Sequence, residues 1–449
     1  MSTERRQHAT LEIPIIPRRL LTILVCLLGL ALTSCNTGNG VGATPNLTRI
    51  RVINLVPNAA AINLQLDSTT VVTGLQFEQV TQYLTVDKGT REFKVSADGG
   101  ATNIIDVSFT LAIAVDYTFV VYGPVEAVNQ QILFDTTTLI PNDGTFGIRV
   151  VNVATGISSV DLYLTPPGTD LSVTAPSVSG VAFGATSPFG VVPTGDYELR
   201  VTIGGSKEVI YDANAGAFAN KSFAEAIIFG KGSAKLVNTA LLNIDSVGTG
   251  QVIDNTLAEF KVLNGSAVGA PLNIFVDGAI ALANVPFGGV SGYEKVTTGS
   301  RTITVESTNT PGATLLTVVA DLAPATDTSI AVSGPAGALR SLVLSDNNLP
   351  SAVNRARVRF VNASPDLAAI DVYVNFVKQF SGVATNTASA YSELLADATG
   401  TTYEFDFNLA GTVTPVLKLP GVTVTSGKTY TIYVVGPGAA PQGVVSNDD

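Results

Sequence analysis

Apolar and polar residues alternate with period two in short runs along most of this chain, and the same runs return four times. Runs reading IRVIN, IRVVN, FKVLN and VRFVN end at Asn54, Asn152, Asn264 and Asn362. In each, apolar residues stand four and two places before the Asn: Ile50 and Val52, Ile148 and Val150, Phe260 and Val262, Val358 and Phe360. A base always stands between them, as Arg51, Arg149, Lys261 or Arg359. Alternation sends successive side chains to opposite faces of a strand. It therefore predicts a β-strand with its apolar set inward and its base on a solvated face. There the base would meet the Asn or Asp of a neighbouring strand, in exposed pairs worth roughly 0–1 kcal/mol.

A second run, INLQL, VDLYL, LNIFV and IDVYV, places Asn63, Asp161, Asn273 and Asp371 nine residues after the first Asn. A third carries Tyr83, Phe189, Tyr293 and Tyr391. Each copy closes on a β-rich run that ends at Gly123, Gly230, Gly334 or Gly436. No stretch sustains a helical apolar period over three turns. Successive copies begin 98, 112 and 98 residues apart, at 54, 152, 264 and 362. A period near 100 residues indicates whole modules, whereas solenoid or propeller units repeat at about 20–50.

Turn formers mark the boundaries at Asn142-Asp143-Gly144, Asp254-Asn255 and Asn347-Asn348-Leu349-Pro350. The expected modules are residues 48–142, 145–250, 256–350 and 355–445. Seven or eight short strands in about 95 residues suit an immunoglobulin-like sandwich. The expected fold class is thus all-β, four tandem immunoglobulin-like β-sandwich modules.

The first 34 residues follow different rules. Arg5, Arg6, Arg18 and Arg19 precede an apolar run of 13 residues from Leu20 to Leu32. That length suits the apolar region of an export signal and falls short of a membrane-spanning helix. The run ends in Leu32-Thr33-Ser34-Cys35, which resembles the lipobox of bacterial lipoproteins. The resemblance implies cleavage before Cys35 and acylation of Cys35. The expected segments are a lipoprotein signal peptide over 1–34 and a lipidated Cys with a flexible tether over 35–47. Two or more acyl chains hold a protein stably on a bilayer. The expected address is the cell envelope, with the outer membrane or cell surface favoured by Asn36.

Charge and composition then narrow the chemistry. Removing the leader takes four basic and two acidic residues, so the net charge moves from −11 to −13. An acidic surface repels phosphate backbones, which argues against nucleic acid as a partner. His8 and Cys26 both belong to the leader, and Cys35 carries lipid, so no disulfide, Ser-His-Asp or Cys-His machinery is expected in the mature chain. No metal-ligand cluster or calcium-loop spacing is present, and no cofactor is expected. Asp366 and Asp371 are the nearest carboxylate pair, read as loop acids. Tyr163, Tyr373 and Tyr433 are candidates for stacking on sugars. Gly427-Lys428-Thr429 imitates the end of a phosphate loop but leads into a strand, and reads as a hairpin turn.

The fourth copy, ARVRFVNASPDLAAIDVYV from Ala356 to Val374, with the later GVATNTASAY and KTYTIYVVG, resembles a bacterial family called domain of unknown function 4397. The resemblance is recognisable in the other copies, where Ser364-Pro365-Asp366 is replaced by different triplets. It implies an immunoglobulin-like sandwich, secretion or surface attachment, and no established activity. The functional expectation is a non-catalytic, lipid-anchored envelope protein acting as a modular spacer or protein-binding surface. The alternative is a surface protein that binds cell-wall or exopolysaccharide carbohydrate. If any loop binds a ligand, the candidates are Asn362, Ser364, Asp366 and Asp371. The recurring Asn–Asp phrase itself reads as a turn lock.

Overall fold

The computed structural model describes residues 46–449 apart from 60, 98, 99, 101, 136, 138 and 246. Cys35 and the leader lie outside the described residues. Residues 46–449 form one compact unit, built from four successive β-sandwiches.

The first sandwich contains β1 (Leu47–Leu55), β2 (Ala61–Leu66), β3 (Thr69–Gln76), β4 (Leu84–Asp87), β5 (Gly89–Ala97), β6 (Asn103–Leu111), β7 (Asp116–Tyr122) and β8 (Asn129–Phe134). One sheet has the order β4-β1-β7-β8 and the other β3-β2-β5-β6. β1 and β7 run parallel, with Arg51 opposite Thr118. The other neighbours are antiparallel. The same plan recurs in the next three sandwiches, whose strands equivalent to β1 are Thr145–Asn152, Leu257–Ala267 and Arg355–Asn362. The all-β sandwich reading stands. The strand order refines it, because antibody constant domains distribute seven strands as ABED and CFG.

Each sandwich has its own core, made as the alternation predicts. Ile50, Val52, Phe93, Val95, Phe119 and Val121 are fully buried together in the first. Phe360, Val372, Phe405 and Ile432 play that part in the fourth. The longer 112-residue spacing is taken up in the second sandwich. A 12-residue loop, 166–177, replaces a two-residue hairpin turn, and an additional strand, Gly250–Ile253, is added at the sheet edge.

Two further apolar clusters lie between sandwiches. Ile53, Leu55, Val120 and Tyr122 of the first are buried with Val151, Val153, Ile227 and Phe229 of the second. Leu263 and Ala331 of the third are buried with Val361, Ala363, Tyr433 and Val435 of the fourth. The sheets that contain β1 and its equivalents thus stack in two face-to-face pairs, first on second and third on fourth. The pairs are themselves joined. Asn348 donates its backbone N–H to Gly232 at 2.9 Å, and Pro350 packs on Gly156. Both Asn348 and Pro350 precede the fourth sandwich, while Gly232 and Gly156 belong to the second.

Candidate functional site

The residues that repeat most faithfully come together in the two pair interfaces. Arg51 is 0% exposed, Lys261 and Arg359 are 2%, and Arg149 is 8%. The expectation that these bases are solvated is overturned. The face that carries the base also carries Ile53 and Leu55 in β1, and Val151 in its equivalent, with Val153 just beyond that strand's end. A strand that is apolar on both faces is a strand buried on both faces, and the second face is covered here by the neighbouring sandwich.

Two guanidinium groups and two carboxylates meet at the first interface. Arg51 lies 3.3 Å from Asp135 and 3.7 Å from Glu225. Arg149 lies 3.3 Å from Asp135 and donates from Nε to Glu225 at 2.6 Å. Arg51 also donates to Thr118 at 2.7 Å, and Thr118 donates on to Asp135 at 2.6 Å. The Tyr83 ring covers Arg51 at 5.0 Å, and the Phe189 ring covers Arg149 at 4.8 Å. The Tyr83 hydroxyl donates to Asp135 at 2.6 Å. Glu225 is completely buried, and burial with the neighbouring Asp135 charge pushes its carboxyl up to about 7 despite both arginines.

The second interface repeats the arrangement with different donors. Lys261 of the third sandwich pairs with Asp448 of the fourth, and Arg359 of the fourth pairs with Asp346 of the third. Tyr293 covers Lys261 at 4.6 Å and Tyr391 covers Arg359 at 5.0 Å. Where the third sandwich meets the second, Asp327, which accepts from the Ala234 N–H at 3.3 Å, is pushed by burial and the neighbouring Glu259 up to about 8. The base, the aromatic residue and an acid are therefore one recurring device. Its geometry holds charge between two sandwiches of one chain, with the base and its acid buried and the aromatic ring half-buried over them.

The Asn–Asp phrase is a pair of backbone locks. Asn54, Asn152, Asn264 and Asn362 are all 0% exposed. Asn54 donates to the Leu75 carbonyl at 2.9 Å and accepts from the Val56 N–H at 3.0 Å, fixing the corner after β1. The second member fixes a bulge on the adjacent strand. Gly74, Gly180, Asn284 and Gly382 have φ of 64°, 66°, 58° and 66°. Their N–H groups donate to Asn63, Asp161, Asn273 and Asp371 at 2.7, 2.6, 3.0 and 2.8 Å. A bulge leaves one backbone group outside the ladder, and the Asn or Asp oxygen receives it.

Among the residues of the candidate loop, Asn362 and Ser364 are fully buried. Asn362 donates to Leu367 at 2.8 Å, and Ser364 donates from its hydroxyl to Gly436 at 2.7 Å. Asp371 is buried and bonded to Lys378 at 2.7 Å, a contact that holds its carboxyl below the usual range. Asp366 is exposed, and its carboxylate accepts from the Gly438 N–H at 3.3 Å. Of the four, Asp366 is the one whose side chain faces solvent.

The tyrosines proposed for sugar stacking divide. Tyr163 and Tyr433 are each 1% exposed, which removes them as platforms, because their rings are already packed in the protein. Tyr373 is half-buried beside Lys378. Gly427, at φ 83°, sits in a turn that leads into strand Thr429–Val435, but the strands it joins, Pro415–Val424 and Thr429–Val435, belong to different sheets, so the hairpin reading is corrected to a crossover between the two layers. No group of three or more metal-ligating side chains occurs among the described residues.

Concavities also open in the described residues, one of them beside the first device, since its wall includes Asn243, whose carbonyl accepts from Arg51 at 2.8 Å. A cavity of about 550 Å³ opens in the second sandwich, walled by Phe218, Phe223, Leu241 and Ile244, with Asn243 and Gln251 among its polar residues. Its Gln251 belongs to the additional strand. A second, of about 410 Å³, lies between the tips of the third and fourth sandwiches at Phe287.

No curated protein matches the sequence of this chain. Among solved structures it is similar over 86% of its length to 68% of the Bacillus anthracis TIE protein, at 9% identity and a TM-score of 0.14. It is similar over 41% of its length to 92% of a family 26 carbohydrate-binding module from Eubacterium rectale Amy13K, solved with maltoheptaose, at 14% identity and a TM-score of 0.15. A streptococcal virulence factor that binds α-glucan gives the same coverage, at 13% identity and a TM-score of 0.14. Likeness at this level carries no argument about what this chain binds. The sequence itself matches the family model of the domain of unknown function (DUF4397) at residues 48–163, 258–373 and 356–449, more than half of the chain, and the protein belongs to that family.

Proposed function

We propose that this protein is a non-catalytic, lipid-anchored envelope protein that displays a stiff body of paired sandwiches to other proteins. The observation that carries this reading is the fate of its most repeated polar residues. Arg51, Arg149, Lys261, Arg359 and their acids are enclosed between sandwiches, and the Asn–Asp phrase is enclosed within them. What repeats is committed to architecture. What differs between copies is the loop after each first strand, where Ser364-Pro365-Asp366 occurs once. Asp366 presents an accessible carboxylate there, and recognition of a partner would fall to such loops.

Anchoring rests on Cys35 and its lipobox-like context. Metabolic labelling with an alkyne fatty acid, followed by envelope fractionation, tests it. The native chain is expected to carry label and sediment with membrane. Cys35→Ser is expected to lose both. Equal labelling of the two would refute the anchor. Proximity labelling of intact cells, comparing the native chain with Asp366→Ala, then tests the display role. An unchanged set of neighbours would remove that loop from consideration.

A further inference from the structure

The four repeated bases are not chemically equal. Three are arginines, and the third copy carries Lys261. A guanidinium stays protonated in proteins and does not act as a nucleophile, whereas an amine that gives up its proton attacks carbonyl carbon readily. Lys261 is thus the one base of the set able to become covalently joined to its acid. That acid comes from another sandwich, since Asp448 stands just past the last strand of the fourth, Gln442–Asn447.

Both groups are buried, and they touch. Lys261 Nζ donates to Asp448 Oδ1 and, at 3.0 Å, to the Ser446 hydroxyl, beneath the Tyr293 ring. A nitrogen hydrogen-bonded to one carboxylate oxygen lies about 3.5 Å from the carboxyl carbon, the separation of a near-attack pair. The other oxygen, Oδ2, accepts from the Thr431 hydroxyl at 2.5 Å, and Thr431 accepts in turn from Arg359 Nε at 2.8 Å. This relay sets a fixed cation behind the oxygen on which negative charge grows when the carbon is attacked. Two conditions that oppose amide formation in water are also reversed here. The reacting groups are held together, which for well-oriented pairs is worth an effective concentration of about 10⁵–10⁸ M. Bulk water, which drives hydrolysis, is shut out of the closed interface, where Asp448 is 0% exposed.

We propose that Lys261 and Asp448 condense into an amide that joins the third sandwich to the fourth. The ammonium passes a proton along the existing hydrogen bond to Oδ1. The amine lone pair attacks Cγ, and the Cγ–Nζ bond forms. The Cγ–Oδ1 bond then breaks, and Oδ1 leaves as water with two of the three hydrogens that Nζ carried. The third stays as the amide N–H. One positive and one negative charge vanish together, and no oxidant or co-reactant is consumed. The first pair, with arginine on both sides, forms no such bond. This inference does not depend on the lipid anchor or on any partner.

Mass spectrometry of the purified full chain tests this. Trypsin does not cut after an acylated lysine, so the digest is expected to contain residues 236–295 joined to 429–449 in one branched peptide, lighter by one water than its two parts. Lys261→Arg takes the base of the other three copies and is expected to yield 236–261, 262–295 and 429–449 separately. Its intact mass, corrected for the substitution, is expected to exceed that of the native chain by one water. Asp448→Ala is expected to release the same three peptides. A native digest in which cleavage after Lys261 is complete overturns the proposal. So does an equal intact mass in corrected Lys261→Arg, or a branched peptide that survives in Asp448→Ala. The native digest decides the matter even where a variant fails to fold.

Discussion

Replacing Arg51 by Met separates the two accounts of the repeated bases most sharply. On a solvated strand face the change would be nearly silent, within about 0.5 kcal/mol. In the observed interface Arg51 has no exposure. Met keeps the apolar stem and removes the donor to Thr118 at 2.7 Å and the donor to the Asn243 carbonyl at 2.8 Å. It also removes the cation between Asp135 and Glu225. Two buried carboxylates then share Arg149 alone. Breaking a buried ion pair from one side costs about 3–5 kcal/mol, because the remaining charge is uncompensated. That range is the expected loss, read by guanidinium unfolding followed by circular dichroism, since the chain has no Trp. The double variant Arg51→Met with Glu225→Gln restores a neutral cluster. It is expected to be more stable than Arg51→Met alone by at least about 1 kcal/mol, as coupled neighbours behave. A single variant near wild-type stability would refute the burial of this cluster. A double variant less stable than the single would refute the charge balance within it.

The remaining predictions concern other links. The unit should be more stable at pH 5 than at pH 8.5. Glu225 and Asp327 are raised in the fold from 4.5 and 3.8 to about 7 and about 8. Their folded forms hold protons more tightly than the unfolded chain does, so this stability is full below pH 4 and is lost as pH rises through 7 to 8. Calorimetry should show Tm falling across that window and a flatter profile for Glu225→Gln, whereas a Tm that rises would contradict the assignment. Asn54→Ala should cost about 2 kcal/mol by urea unfolding, since it leaves the Leu75 carbonyl and the Val56 N–H unpaired. Asp161→Ala should cost at least as much, because its carboxylate receives both Gly180 and Gly205 N–H groups, at 2.6 and 2.9 Å. A loss below about 0.5 kcal/mol for either would deny the lock.

The strand repeats were legible because alternation and turn chemistry are local. Ile50 and Val52 point inward in the structure as the pattern requires. The Asn–Asp phrase also read correctly as a lock, although its second member holds a bulge that the sequence marks only by Gly74, Gly180 and Gly382, with Asn284 in their place once. Pairing was harder to see, because it depends on which surface a face meets. The signal was present in Ile53 and Leu55, which share the face of Arg51 and are too apolar for solvent.

The central claim is that these sandwiches are stacked in pairs through faces a lone module would leave in water. Thiol reactivity of Val120→Cys and Val361→Cys measures this most directly, in a background with Cys26 and Cys35 changed to Ser. Both positions are 0% exposed on faces that meet the neighbouring sandwich, while Val413 is 91% exposed and supplies the control thiol. If the pairs are closed, the two interface thiols react only through opening, at least about 100-fold more slowly than Val413→Cys. Reaction at rates close to the control, in variants that remain folded, would show modules strung separately along the chain and would contradict the account.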